Sequence, residues 1–234
     1  MMLTHAPAAF DVAIPAAGLE GEPISLPGRL TLPESPLGLV LFAHGSGSSR
    51  SSPRNAFVAQ VLHEARIGTL LFDLLTEQEA NDRANVFDIR LLADRLGAAV
   101  RFIRDFSVTR SLPVGLFGAS TGAAAALVTA AEDPDVAVVV SRGGRADLAG
   151  PALGRVRAPT LLIVGGDDRE VLELNRQALR MLGGDRHLGV VPGATHLFEE
   201  RGALAEAARM AADWCGRHLA RHVRMGATSG GTRR

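Results

Sequence analysis

Two hydrophobic rhythms alternate along the chain. Short runs are apolar at nearly every position, at 37–43, 68–73, 112–117, 136–140, 160–164 and 187–191. Between them lie longer stretches in which apolar residues recur every three or four positions, at 54–66, 87–106, 121–131, 171–182 and 203–219. The 87–106 stretch shows this plainly, with Ile89, Leu92, Leu96, Val100 and Ile103 on one stripe. The first rhythm is that of strands buried on both faces, the second that of helices covering them. Strands and helices in alternation predict a mostly parallel sheet in a three-layer α/β/α sandwich. Prolines crowd the first 35 residues or so, which read as one or two antiparallel edge strands such as 28–32. Residues 226–234 are rich in Gly, Ser, Thr and Arg and read as a flexible tail. No internal repeat or linker divides what precedes them, so 1–225 is expected to be a single domain.

Composition narrows the function classes. The chain has 234 residues, with 25 basic and 25 acidic side chains and a net charge of zero. That balance gives no field to draw nucleic acid or an anionic membrane. Every basic residue other than histidine is Arg, which excludes a lysine Schiff base or a lysine general base. The single cysteine, Cys215, cannot form an internal disulfide or a cysteine metal cluster, and in a helical context it reads as a small core residue. No metal or cofactor is expected. The N-terminal 18 residues lack the basic and apolar regions of a signal peptide, and no run has the length of a membrane span. The expectation is a cytoplasmic protein, monomeric or homodimeric, acting on a small molecule.

The chemistry centres on Gly118-Ala119-Ser120-Thr121-Gly122. This G-x-S-x-G falls directly between a predicted strand and a predicted helix, the setting in which a sharp turn lifts a serine hydroxyl above the sheet. Four alanines follow, Ala123 to Ala126, small enough for the helix to press against its strand. A serine needs a base, and the base an orienting acid. His196 lies in a loop just past the last strand, at the same rim as Ser120; the other six histidines sit on helices, at strand starts or in other loops. The acid should follow the 160–164 strand, where Gly165-Gly166-Asp167-Asp168 stands. Asp168 is the choice, with Asp167 expected to cap the next helix. Backbone N–H groups of Thr121 and Ser46 are the candidate oxyanion donors. Ser46 belongs to His44-Gly45-Ser46-Gly47 after the first buried strand; a phosphate cradle there lacks the third Gly and the Gly-Lys-Ser/Thr that such loops use.

Taken together, the elbow, the His-Gly-x-Gly loop, the Asp turn and Pro192-Gly-Ala-Thr-His196-Leu-Phe resemble the α/β-hydrolase superfamily in its dienelactone hydrolase-like branch. The order Ser120, Asp168, His196 matches that superfamily's triad order. The resemblance spans roughly residues 25–220 and implies the α/β-hydrolase fold and a carboxylic ester hydrolase. Segments 44–55 and 141–145 further resemble small bacterial hydrolases, some of which accompany a phosphoribosyltransferase domain; none is expected within these residues. One departure matters. Dienelactone hydrolases use a cysteine nucleophile, whereas position 120 is serine. The implied activity is therefore cleavage of small esters, lactones or thioesters rather than of dienelactone itself.

Residues 141–158 leave room for a short helix but not a lid, which favours small soluble substrates. Arg50, Arg54, Arg142 and Arg145 fall on loops near the expected rim and are candidates to bind a substrate anion, or to form structural ion pairs. The alternative to an enzyme is a non-catalytic binding protein using the same pocket.

Overall fold

A computed structural model describes residues 7–229. Eight strands form one sheet: β1 (Ala8–Ala17), β2 (Pro23–Leu32), β3 (Leu39–Ala43), β4 (Gly68–Phe72), β5 (Val114–Ala119), β6 (Val136–Arg142), β7 (Thr160–Gly165) and β8 (Arg186–Val191). Their order is β1-β2-β4-β3-β5-β6-β7-β8. Strands β3 to β8 run parallel, and the β1–β2 hairpin joins β4 antiparallel. Its prolines are tolerated because β2 pairs with β4 only from Gly28 to Thr31, beyond Pro23 and Pro27.

The continuous apolar runs have a direct structural cause. Successive side chains of a strand point to opposite faces, and here both faces are covered. In β3, Leu39, Leu41 and Ala43 enter one core while Val40 and Phe42 enter the other. The first core packs under α4 (Ile89–Asp105), α5 (Thr121–Glu132) and α6 (Arg169–Met181); the second packs under α1 (Pro53–Glu64) and α7 (Ala203–Ser229). Ala123 to Ala126 of α5 are fully buried, which lets this central helix lie close to the sheet.

The connection between β4 and α4 holds two short helices that lack a long enough pattern to be read from sequence, α2 (Glu77–Ala80) and α3 (Arg83–Phe87). Thr76 and Glu79 close a capping box on α2, and Glu79 also meets the buried Arg95 of α4 at 2.5 Å. That pair is long-range, so no local periodicity announces it. Residues 146–155 form a kinked 3-10 segment with Gly150 at φ 50°, packed on α5 and α6; no lid is inserted. α7 continues to Ser229, so the expected tail at 226–234 begins in helical backbone, and 230–234 lie outside the described residues. No helix among the described residues is long and apolar enough to cross a membrane.

Candidate active site

Ser120 sits between β5 and α5 at φ 50°, ψ −122°. A side chain rarely adopts this conformation, and the surroundings enforce it. Its carbonyl accepts from the N–H groups of Ala123 at 3.1 Å and Arg145 at 3.0 Å, and its own N–H donates to Arg142 O at 3.4 Å. The flanking glycines are required by close approach. A Cβ at Gly122 would lie 2.1 Å from Ala43 O, and one at Gly118 2.3 Å from Ala123 Cα. Gly45 also packs closely against Ser120, where a Cβ would come within 2.8 Å of the serine Cβ.

His196 and Asp168 meet across two loops. His196 Nδ1 lies 2.7 Å from Asp168 Oδ2; the carboxylate accepts, so the proton is on Nδ1 and Nε2 is left as an acceptor. The two loops are held together through backbone. Asp167 N–H donates to Ala194 O at 3.0 Å and Gly166 N–H to Val191 O at 2.8 Å, and a Cβ at Gly165 would stand 2.3 Å from Ala194 O. His196 and Ser120 line one hollow of about 210 Å³. Asp167 points to solvent and does not cap α6 as expected; Asp168 itself occupies the N-cap position, with its carboxylate committed to His196 instead of to the helix.

The loop after β3 approaches the start of α5 directly, with Ser46 N–H donating to Thr121 Oγ1 at 3.1 Å. His44 anchors this loop. Its Nε2 accepts from Leu74 N–H at 3.1 Å, so Nδ1 carries the proton and faces Gly45 O at 3.1 Å. Burial pushes the His44 pKa below the ordinary histidine value, outweighing Gly45 and Asp73. The ring is therefore a neutral strut. A second hollow, of about 410 Å³, lies on the other side of this loop against Leu75, Val86 and Leu92.

The four arginines separate into two groups. Arg50 is tied to Asp73 through its backbone N–H at 2.7 Å and through its guanidinium. Arg145 forms two hydrogen bonds to Asp147, at 2.9 and 2.8 Å. Arg54 and Arg142 line the Ser120 hollow. Asn55 joins them there, buried and accepting from Arg142 Nη2 at 3.4 Å. No role for Asn55 was read from the sequence. Its signal was present, because it falls on the buried stripe Asn55, Val58, Ala59, Leu62 of α1, where a polar side chain needs a partner. Of the other histidines, His63 bonds Thr69 Oγ1 at 2.8 Å and His218 packs on Trp214, with ring centroids 4.5 Å apart; His5 lies outside the described residues.

The strand order, the hairpin at one edge and the serine turn at the sheet rim define an α/β-hydrolase fold, and comparison with known proteins specifies it further. A profile of the Dienelactone hydrolase family matches residues 57–219, and the chain belongs to this family. A dienelactone hydrolase from Anabaena variabilis is 49% identical, with a TM-score of 0.86, over 92% of this chain and all of that one. Est1E from Butyrivibrio proteoclasticus, at 14% identity and a TM-score of 0.74 over 90% of this chain and 99% of that one, shares the fold. Two Mycobacterium tuberculosis proteins, each named "Putative phosphoribosyl transferase", are 61% identical over 199 residues, which is 84% of this chain and 45% of theirs. The chain thus spans about half the length of these curated relatives. The family match and the 49% identical dienelactone hydrolase support hydrolase activity.

Proposed function

We propose that the protein is a serine hydrolase of small carboxylic esters, lactones or thioesters, working through an acyl-Ser120 intermediate. The observation that carries this reading is the 2.7 Å contact between His196 Nδ1 and Asp168, with His196 and Ser120 facing the same hollow. In this mechanism His196 Nε2 takes the Ser120 proton as Oγ attacks the carbonyl carbon. Asp168 holds the ring in the Nδ1–H tautomer and stabilises the imidazolium that forms. The proton passes to the leaving group, the C–O or C–S bond breaks, and acyl-Ser120 remains. His196 then deprotonates a water that attacks the acyl carbon, and returns the proton to Ser120.

The oxyanion is assigned to the N–H groups of Thr121 and Ser46. The first N–H of α5 is free of helical hydrogen bonding and sits at the positive end of the helix dipole. Ser46 N–H is engaged with Thr121 Oγ1, so this mechanism has the substrate oxygen compete with that hydroxyl for the donor. The absence of an inserted lid supports small, water-borne substrates. A cytoplasmic location and a monomer or homodimer complete the proposal.

The test is active-site labelling. A fluorophosphonate probe should modify the wild-type protein and not Ser120→Ala, and p-nitrophenyl acetate hydrolysis should disappear with the label. Absence of both reactions in the wild-type protein would replace the enzyme with a binding protein that uses the same pocket.

A further inference from the structure

The most unusual charge in the molecule is Arg142. It ends β6, is only 8% exposed, and lines the hollow that contains Ser120. Buried cations in proteins are normally paired with a carboxylate. Arg142 has none. Nη2 reaches only the neutral Asn55 Oδ1, at 3.4 Å, Nη1 has no hydrogen-bond partner among the described residues, and the guanidinium carbon stands 5.9 Å from the Phe117 ring centre. Its charged neighbour is a second cation, Arg54. Burial first and Arg54 second push the Arg142 pKa down to about 10.

The other buried arginine among the described residues is paired. Arg95, more buried still, meets Glu79 at 2.5 Å, and Arg50 and Arg145 have Asp73 and Asp147. No Asp or Glu lines the Ser120 hollow. Arg54 has a partner in Glu199, but at 3.5 Å with the carboxylate 67% exposed, where an ion pair offsets little charge. The hollow therefore sets two cations beside Ser120 and has no Asp or Glu in its lining. The neighbouring hollow differs, being lined by Asp73 and Glu77 as well as by apolar side chains.

We infer that Arg142, with Arg54 and Asn55, forms an anion subsite beside Ser120, and that the ester cleaved here carries a carboxylate or phosphate group. Both groups present the oxygens that a guanidinium recognises. The inference rests on the hydrolase reading for what the anion is attached to, but not for the binding of the anion itself.

Binding is measured first, by calorimetry on the full-length Ser120→Ala protein with inorganic phosphate and with succinate, since binding needs no turnover. At least one anion should bind, and Ser120→Ala/Arg142→Met should bind it about tenfold more weakly, the loss expected for one charge-assisted hydrogen bond; Arg142→Lys should restore part of it. If Arg142→Met does not fold, Arg54→Gln at the more exposed neighbour carries the same test. No binding of either anion, or binding that these substitutions leave unchanged, overturns the subsite. Kinetics then identify the group. One pair is p-nitrophenyl hemisuccinate against p-nitrophenyl butyrate; the other is the acetate ester of 2-hydroxyethyl phosphate against ethyl acetate. A preference for an anionic member that Arg142→Met abolishes through KM supports the proposal and names carboxylate or phosphate. No preference in either pair, or equal losses on charged and neutral esters, overturns it. Anion binding through Arg142 with no ester cleaved would refute the hydrolase reading and leave the subsite standing.

Discussion

Replacing Ser120 by glycine should make the protein more stable, and replacing it by alanine should not. Ser120 is held at φ 50°, ψ −122°, a region open to glycine and costing other residues about 1–3 kcal/mol. Alanine keeps the Cβ and hence the strain. Glycine removes it but brings an entropic cost of about 0.5–1 kcal/mol from its freer unfolded chain. Loss of the hydroxyl matters little in either variant, because Ser120 Oγ makes no hydrogen bond among the described residues. The expected difference is about 1 kcal/mol in favour of glycine, or roughly 2–4 °C in Tm for a domain of this size. Urea unfolding and scanning calorimetry of the wild-type protein and both variants measure it. Both variants lack the Ser120 hydroxyl, so any residual esterase activity is the same background and does not confuse the comparison. A Ser120→Gly protein equal to or less stable than Ser120→Ala would refute the claim that the elbow stores backbone strain.

Two further outcomes follow from the same geometry. Asp168→Asn should reduce turnover by about 10⁴-fold, the scale seen when a triad carboxylate becomes an amide, while Asp167→Asn, altering an exposed side chain with no contact to His196, should leave kcat nearly unchanged; equal losses would reverse the choice of acid. His44 gives a pH dependence. Its folded pKa is lowered by burial from the ordinary 6.5, so the unfolded chain binds more protons in the window just below 6.5, and stability falls as pH falls through that window. The slope from this group is at most about 1.4 kcal/mol per pH unit, and His44→Asn should lose that part of it in urea melts from neutral to mildly acidic pH. An unchanged profile in the variant would mean that His44 is not held neutral by the fold.

Much of this molecule is written in local pattern. Strands covered on both faces carry few polar positions, so β3 to β7 stand out as apolar runs, while β8 at the sheet edge is half exposed, and α4 shows its stripe because one side meets the sheet and the other meets water. The serine turn is legible for a related reason. Gly118 and Gly122 stand where backbone approaches within van der Waals distance, and their spacing around Ser120 is a five-residue signature. His196 and Asp168 are candidates by position alone, each following a predicted strand, and the structure brings their side chains within 2.7 Å of each other.

What the sequence left open depends on contacts between residues far apart in the chain. The four loop arginines look alike as a string of letters. Only tertiary structure gives Arg50 to Asp73 and Arg145 to Asp147, and leaves Arg142 and Arg54 beside Ser120 without a buried carboxylate. Asp167 and Asp168 are likewise adjacent and chemically equal in sequence. The way the turn after β7 is seated on the loop after β8 sends one to solvent and the other to His196. The short helix α2 is tied to α4 by Glu79 meeting Arg95, and the apolar spacing of four or five residues cannot encode that. Periodicity reports which face of an element is buried, because burial acts on each residue where it stands. Charge pairing depends on the partner's distance, and that is fixed only once the chain has folded.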